Sequence, residues 1–384
     1  MVLVWLSCAP VAHGWTRQDP LPAHESLSAH ESPSANDAYE RALALESRGN
    51  HSAALPLLWY AAGAAPRDAD VQNRLGEALE RIGALDAAID AFRRAVAERP
   101  AFRKAANNLI LTLVKAAKGK EALDLARARV ADAPHDPDPH FTLGLALAEQ
   151  DVEEAVAVFR RVLRLDPRHT LARYNLALVL KRADRLADAV DELTRALDIE
   201  ARPEAHYTLG VIYWQQGDLD RATAALRAAI ALDPRYVDAH ATLGSLLAGR
   251  RDWKGARDAL RRAIALRPDL PGPHDTLGRA LQQQGDRIGA EAAFAEGERL
   301  RTHARLEQEA GVWTAVGSRT LESGDLRGAL DHFRRATALL EAYAPAHFQI
   351  GLVLLRLGEP ESARAAFARA AQLNPSLIPP EELR

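Results

Sequence analysis

The sequence has few cysteines and few aromatic residues, and these shortages exclude several classes of protein. Cys8 is the only cysteine among 384 residues, which excludes an internal disulfide framework and a cysteine-rich metal site. Aromatic residues make up 5% of the chain, and no apolar run reaches the roughly 18 residues that a membrane-spanning helix needs. We therefore expect an alanine-rich, helix-prone chain with no membrane span.

Excess positive charge and phosphate-binding loops are also missing. The chain carries 49 basic and 52 acidic residues, a net charge of −3. Binding to nucleic acid depends on clustered positive charge, so we expect no nucleic acid partner. Neither G-x-G-x-x-G nor G-x-x-x-x-G-K-[ST] occurs, and no catalytic group of residues stands out. We expect neither enzymatic activity nor a cofactor.

The chain does contain one motif that recurs at a fixed period. Its clearest copy consists of Leu209, Gly210, Ala222, Leu226, Ala229 and Pro234. The same spacing starts at Leu75, Leu243 and Ile350. Extending this register gives ten repeats, most of them 34 residues long. They start at Ala35, Ala69, Arg103, Pro137, Thr170, Pro203, Val237, Pro271, Ala310 and Ala344.

Each repeat is predicted to form two short helices. Gly83, Gly217 and Gly285 lie between the halves of three repeats, and glycine tolerates the left-handed backbone that ends a helix. A proline such as Pro234 follows the second half, where it stops that helix and suits the first turn of the next. Helices of about a dozen residues are marginal alone in water, so each pair must stack on its neighbours.

The period and the positions of leucine, glycine, alanine and proline resemble those of the tetratricopeptide repeat (TPR) family. The resemblance covers about nine tenths of the chain. It implies an all-α fold, a right-handed α-solenoid superhelix of about ten helix-turn-helix units. Repeat 3 departs most from the pattern, because Ile110 replaces the glycine and Ala126 replaces the aromatic residue. We expect a loosened or re-angled joint there.

The segments outside the regular repeats suggest how the chain is organised. We predict a signal peptide or an unstructured leader (1–14), a flexible linker (15–34), repeats 1–8 (35–304), repeats 9 and 10 after a helical insertion (305–377) and a C-terminal tail (378–384). The insertion, near residues 300–309, is either neutral or a hinge. A signal peptide, which we favour, means export to the periplasm or beyond, whereas an unstructured leader means a cytoplasmic protein.

Histidine recurs at the fourth position of five repeats. The five residues are His140, His206, His240, His274 and His347. A metal site would need ligands that converge to about 2.1 Å from one ion, whereas a helix pair separates successive copies. We predict that each ring packs at a seam between helices and that no metal binds.

In the TPR family the first helices of the repeats line a concave groove, into which positions 2, 5, 6, 9, 12 and 13 of each repeat face. The resemblance implies a partner-binding lining at Asn73, Asn107, Asn108, Phe141, Thr142, Tyr174, Asn175, Arg182, Tyr207, Thr208, Trp214, Thr242 and Thr276. Thr and Asn side chains can pair with the backbone of an extended peptide, and Tyr and Trp are common interface anchors. Alternatively, the aromatic residues only pack against the neighbouring first helix.

We therefore expect a non-enzymatic protein–protein interaction scaffold that binds a peptide segment or a protein partner in the concave groove. The alternative is a regulatory or targeting subunit of a separate enzyme or assembly complex, acting through residues 300–384. The last repeat presents an apolar end. Either Leu377 and Ile378 fold back over that end, or self-association through the C-terminal repeat covers Phe367 and Leu373.

Overall fold

The structure is a computed structural model that describes residues 34–374 and Leu377. Within these residues it consists of helices joined by short turns, without a strand. In chain order the helices are α1 (Ala35–Ser47), α2 (His51–Ala64), α3 (Ala69–Arg81), α4 (Leu85–Glu98), α5 (Arg103–Lys115), α6 (Gly119–Asp132), α7 (Pro137–Leu147), α8 (Val152–Leu165), α9 (Thr170–Arg182), α10 (Leu186–Leu197), α11 (Pro203–Gln215), α12 (Leu219–Leu232), α13 (Val237–Gly249), α14 (Trp253–Leu266), α15 (Pro271–Gln283), α16 (Arg287–Glu322), α17 (Leu326–Leu339), α18 (Ala344–Arg356) and α19 (Pro360–Leu373).

The helices follow the register of the repeat. Nine of the ten predicted repeat starts are the first residues of helices, namely α1, α3, α5, α7, α9, α11, α13, α15 and α18. The tenth, Ala310, lies inside α16, a single helix of 36 residues that runs from repeat 8 into repeat 9. The segment 300–309 is therefore helical. The all-α, helix-turn-helix architecture predicted from the sequence is confirmed.

A left-handed residue at position 15 separates the two helices of most repeats. Gly83, Gly217 and Gly285 have φ values of 79°, 78° and 84°, as predicted for the end of a helix. Ala117 and Asp184 adopt the same left-handed conformation in repeats 3 and 5, with φ of 57° and 58°. The turn geometry is therefore kept even where glycine is absent.

Glycine at position 8 lets the two helices of a repeat come close together. A Cβ atom built on Gly76 would lie 2.6 Å from the Phe92 ring, and one on Gly144 would lie 2.7 Å from the Phe159 ring. Phe92 and Phe159 are fully buried, so the ring of the second helix occupies the space that a side chain on the first helix would need. In repeat 3, Ile110 and Ala126 replace the glycine and the aromatic residue, and both are fully buried. The predicted loosening of this joint therefore does not expose either side chain.

In several repeats the side chain at position 4 hydrogen-bonds a carbonyl oxygen of the turn that precedes the repeat. Ring Nε2 lies 3.0 or 3.1 Å from a proline carbonyl oxygen six residues earlier in the pairs His140–Pro134, His240–Pro234 and His274–Pro268. A carbonyl oxygen only accepts, so Nε2 carries the hydrogen. Gln72 and Arg173 donate to the equivalent carbonyls in repeats 2 and 5. The prediction of seam histidines is confirmed for these three rings, which are buried.

The described residues form two compact units. The first contains residues 126–304, and the second contains the described residues up to Leu125 and from Arg305 onward. In the first unit, one apolar cluster runs continuously from Ala222 through Leu260 to Ala293. In the second, Phe367 at the last repeat is buried, with the Phe348 ring centroid 5.2 Å away. Self-association through this repeat stays a prediction.

Several predictions concern residues outside the described part of the chain. The predicted leader (1–14), the linker as far as residue 33 and the predicted tail (378–384) all lie there. Among the helices that are described, none is both long enough and apolar enough to cross a membrane.

Candidate functional site

The predicted lining lies on what we call the first-helix face, the side chains at positions 2, 5, 6, 9, 12 and 13 of the first helices. The face differs between residues 35–115, in the second compact unit, and residues 137–283, in the first. The two stretches are therefore described separately.

Along residues 35–115 the first-helix face is closed by ion pairs between neighbouring helices. The carboxylate of Glu46, on α1, lies 3.2 Å from the Arg74 guanidinium and 3.0 Å from that of Arg81, both on α3. Glu77, on α3, lies 2.6 Å from Lys104 Nζ, and Glu80 pairs with Lys115. These carboxylates are largely buried, and each has a cation beside it, so the network needs no partner molecule for charge balance.

The predicted asparagines of this stretch belong to the same network. Asn108 Nδ2 donates to Asn73 Oδ1 at 3.1 Å and to Glu77 Oε1 at 3.2 Å, and Asn73 donates to Glu77 at 3.0 Å. Burial acts to raise the pKa of Glu77, but the hydrogen bonds and charges of Lys104 and its neighbours outweigh it, so the pKa is lowered. Asn107 is half-buried and its Oδ1 is enclosed. Asn73 and Asn108 therefore already have partners within the protein, and the pairing of the three asparagines with a peptide backbone stays a prediction.

Along residues 137–283 the aromatic residues at position 5 pack against the next repeat. The Phe141 ring centroid lies 4.8 Å from that of His169, and the Tyr207 centroid lies 5.2 Å from that of Tyr236. Tyr174 is buried, and its hydroxyl hydrogen-bonds Thr208 of the next repeat. Burial raises the pKa of Tyr174 above its ordinary value. These rings therefore pack at the seam between first helices, and their contact with a partner stays a prediction.

The small polar residues at position 6 are also used internally. Thr142 and Thr208 donate their hydroxyl hydrogens to carbonyl oxygens four residues earlier, at 3.2 and 2.8 Å, and Asn175 does so with its amide at 2.8 Å. Thr276 accepts from Arg279 Nη2 at 3.1 Å. All four are buried, and their pairing with a peptide backbone stays a prediction. Thr242 is half-buried, and it hydrogen-bonds Tyr207.

The accessible apolar residues of this stretch lie at positions 9 and 12. Trp214 is 38% exposed, and Val211 lies one turn before it on the same face of α11. Leu178 and Leu145 occupy the position of Val211 on α9 and α7, and both are half-buried. We call Leu145, Leu178, Val211 and Trp214 the apolar strip. Of these, only Trp214 was predicted as a site residue, although position 9 of the same register contains the others.

Two cations adjoin the apolar strip. Lys181 is half-buried at position 12 of α9, one repeat before Trp214, and burial lowers its pKa. Arg182, a predicted site residue, is exposed and donates through Nη1 and Nη2 to the carbonyl oxygens of Ala148 and Glu149, at 2.9 and 3.2 Å. Among the described residues, neither cation has an ion-pair partner. This end of the face therefore combines apolar surface with two cations that lack an ion-pair partner among the described residues.

Side chains that hold metal ions are not gathered on this face. Within the described residues, no group of three or more His, Cys, Asp or Glu side chains is arranged around a common point. Three of the recurring histidines instead use Nε2 for the carbonyl contacts described above.

Three sequence models of the tetratricopeptide repeat match the chain. The first matches residues 39–101 and 207–271, the second residues 146–212 and the third residues 344–377. Together these matches cover more than half of the sequence, and they fall in both compact units.

Solved structures of TPR proteins are also similar. A TPR protein from Parabacteroides merdae has 15% sequence identity and a TM-score of 0.50, over 65% of this chain and 99% of its own, and shows the same fold. A thermophilic TPR protein in Thermus thermophilus is 28% identical over 47% of this chain and 98% of its own, with a TM-score of 0.42. YrrB, a TPR protein with an unusual peptide-binding site, is 18% identical, with a TM-score of 0.41 over 46% of this chain and 91% of its own.

Proposed function

Because the chain belongs to the tetratricopeptide repeat family, we propose that it is a non-enzymatic scaffold that binds a peptide segment or a protein partner on its first-helix face. Binding takes place along residues 137–283. The first-helix face of residues 35–115 is less suited to it, because a partner there would have to separate carboxylates and cations that already pair.

The exposure of Trp214 is the observation that carries this proposal. Tryptophan buries a large area when a partner covers it, and it is one of the residues that most often dominate the free energy of binding. Trp214 lies at the end of the apolar strip, so a partner can cover Val211 and Leu178 in the same contact. Recognition then occurs mainly through the partner's side chains, since the buried threonines already bond their own helices.

Quantitative affinity purification tests the proposal with the full-length chain and two variants. Trp214→Ala removes the anchor, whereas Leu232→Ala removes a comparably exposed apolar side chain from the second helix α12. A partner recovered with the wild type is then purified, and its dissociation constant is measured with all three proteins. We expect Trp214→Ala to weaken binding at least about tenfold, with Leu232→Ala close to wild type.

Thermal denaturation of the same proteins separates binding from folding. Trp214 is more than one-third exposed, so its removal should change the melting temperature little. A partner that binds all three proteins equally would place the binding site elsewhere. Loss of binding accompanied by an equal loss of folding would show that Trp214 is a structural residue.

A further inference from the structure

Positions 12 and 13 of neighbouring first helices face each other. Arg81, at position 13 of repeat 2, pairs with Glu46, at position 12 of repeat 1, and Lys115 pairs with Glu80 in the same way one repeat later. Arg182, at position 13 of repeat 5, reaches the backbone of position 12 of repeat 4. This contact therefore occurs in both compact units, each considered by itself.

The same register gives Lys181 a neutral neighbour. Lys181 is at position 12 of repeat 5, and position 13 of repeat 6 is Gln215, an exposed amide. Among the described residues no carboxylate forms an ion pair with Lys181, and burial lowers its pKa. In repeats 2 and 3, position 13 supplies the charge opposite to that of position 12, whereas Gln215 supplies none, so the charge partner of Lys181 is left to an anion from outside the chain.

We propose that Lys181 binds a carboxylate side chain of an extended acidic peptide whose bulky apolar side chain packs on Trp214. This inference rests on the proposed function and specifies the chemistry of the partner. A carboxylate is favoured because it complements the charge of Lys181 and is the group that pairs with the cation in the equivalent contacts of repeats 1–3.

The spacing of the helices sets the spacing of the peptide motif. Packed helices lie about 8–10 Å apart, and an extended chain advances about 3.3 Å per residue. Lys181 and Trp214 occupy the same position on the consecutive first helices α9 and α11. The acidic residue and the bulky apolar residue of the peptide should therefore be about three residues apart.

Selection from a phage-displayed library of random twelve-residue peptides on the full-length chain tests the inference. Selected peptides are synthesised, and their affinities are measured for the wild type, Lys181→Met and Lys254→Met. Methionine keeps an apolar stem of similar length and removes the charge, so Lys181→Met should fold at least as well as the wild type. Lys254 is an exposed lysine on the second helix α14 and is the matched control.

We expect peptides with Asp or Glu about three positions from an aromatic or branched aliphatic residue. Lys181→Met should weaken their binding about tenfold, and Lys254→Met should not. Replacing the acidic residue of the peptide by its amide should cause a similar loss in the wild type and little further loss in Lys181→Met, because both changes remove one ion pair.

The possible results separate this inference from the proposed function. Peptides that need Trp214 but bind Lys181→Met as well as the wild type overturn the carboxylate site and leave the scaffold proposal standing. Selected peptides without acidic residues do the same. A library that yields no peptide dependent on Trp214 overturns both.

Discussion

Tyr174, at position 5 of repeat 5, hydrogen-bonds Thr208, at position 6 of repeat 6. Tyr207 and Thr242 have the same relationship one repeat later. Thr208 also gives its own hydroxyl hydrogen to the Glu204 carbonyl oxygen. The bond between tyrosine and threonine connects successive first helices directly.

The same relationship is incomplete between repeats 4 and 5, where position 5 is Phe141. The corresponding position-6 residue is Asn175, whose buried Oδ1 has no hydrogen-bond partner among the described residues. Phe141→Tyr supplies a hydroxyl at that position. We expect the free energy of unfolding to rise by about 0.5–1.5 kcal/mol, measured by urea denaturation at neutral pH.

Phe348→Tyr is the control for this substitution. Phe348 occupies position 5 of repeat 10, and no first helix follows α18 in the described chain. Its substitution should change stability by less than about 0.5 kcal/mol. Equal gains in the two variants, or a loss in Phe141→Tyr, would contradict the role assigned to Asn175.

Two glycines of α13 should respond in opposite directions to substitution by alanine. A Cβ atom on Gly244 would lie 2.5 Å from Leu260 Cγ, whereas one on Gly249 meets nothing within 4 Å. Gly244→Ala should lower the free energy of unfolding by about 1–3 kcal/mol through overpacking. Gly249→Ala should raise it by about 0.4–1 kcal/mol, because alanine restricts the unfolded chain. Urea denaturation of both variants checks the signs, and a loss in both would show that helix contact does not explain the effect.

The fold could be predicted from the sequence because the same spacing of residues recurs from repeat to repeat. Leucine, glycine, alanine and proline recur at fixed spacing, so nine first helices begin where the register places them. The exception is Ala310, because residues 300–309 contain neither glycine nor proline to end a helix, and α16 continues through them.

The candidate site was harder to predict. The register assigns a residue to a face of its helix, but it does not show whether the side chain already has hydrogen-bond partners within the protein. Thr142 and Thr208 are on the predicted face, but their hydroxyls bond their own helices. Gln72 and Arg173 make the same carbonyl contact as the histidines while sharing only an N–H donor with them. A pattern based on residue identity does not find such equivalences.

The ion-pair network of residues 35–115 should make stability depend on pH. The pKa of Glu77 is lowered below its ordinary value of 4.5, so its contribution is fully present above that value and is lost as the pH falls through the folded-state pKa. Glu77→Gln should cost about 1–2 kcal/mol at pH 7. The difference from wild type should shrink as the pH falls below 4.5, as measured by urea denaturation across that range.

Glu153→Gln is a matched control for the pH dependence. Glu153 is 78% exposed, and its closest ion pair, with Arg185, is 3.9 Å long. Its substitution should have little effect at any pH, because exposed pairs contribute little. A Glu77→Gln difference that stays constant down to low pH would show that lost packing, rather than lost charge, explains the change.

The contact between His240 and Pro234 should contribute to stability through its hydrogen bond. His240→Leu fills a similar volume but leaves the Pro234 carbonyl oxygen without its donor 3.1 Å away. We therefore expect the free energy of unfolding, measured by urea denaturation, to fall by about 1–2 kcal/mol.

His206 is the control for this substitution. It has the same position in repeat 6, where no proline lies six residues earlier and where, within the described residues, its ring makes no hydrogen bond. Burial lowers the pKa of His206, so leucine there removes a poorly solvated ring and should cost less. Equal losses at the two positions would show that ring packing, and not the carbonyl contact, accounts for the recurring histidines.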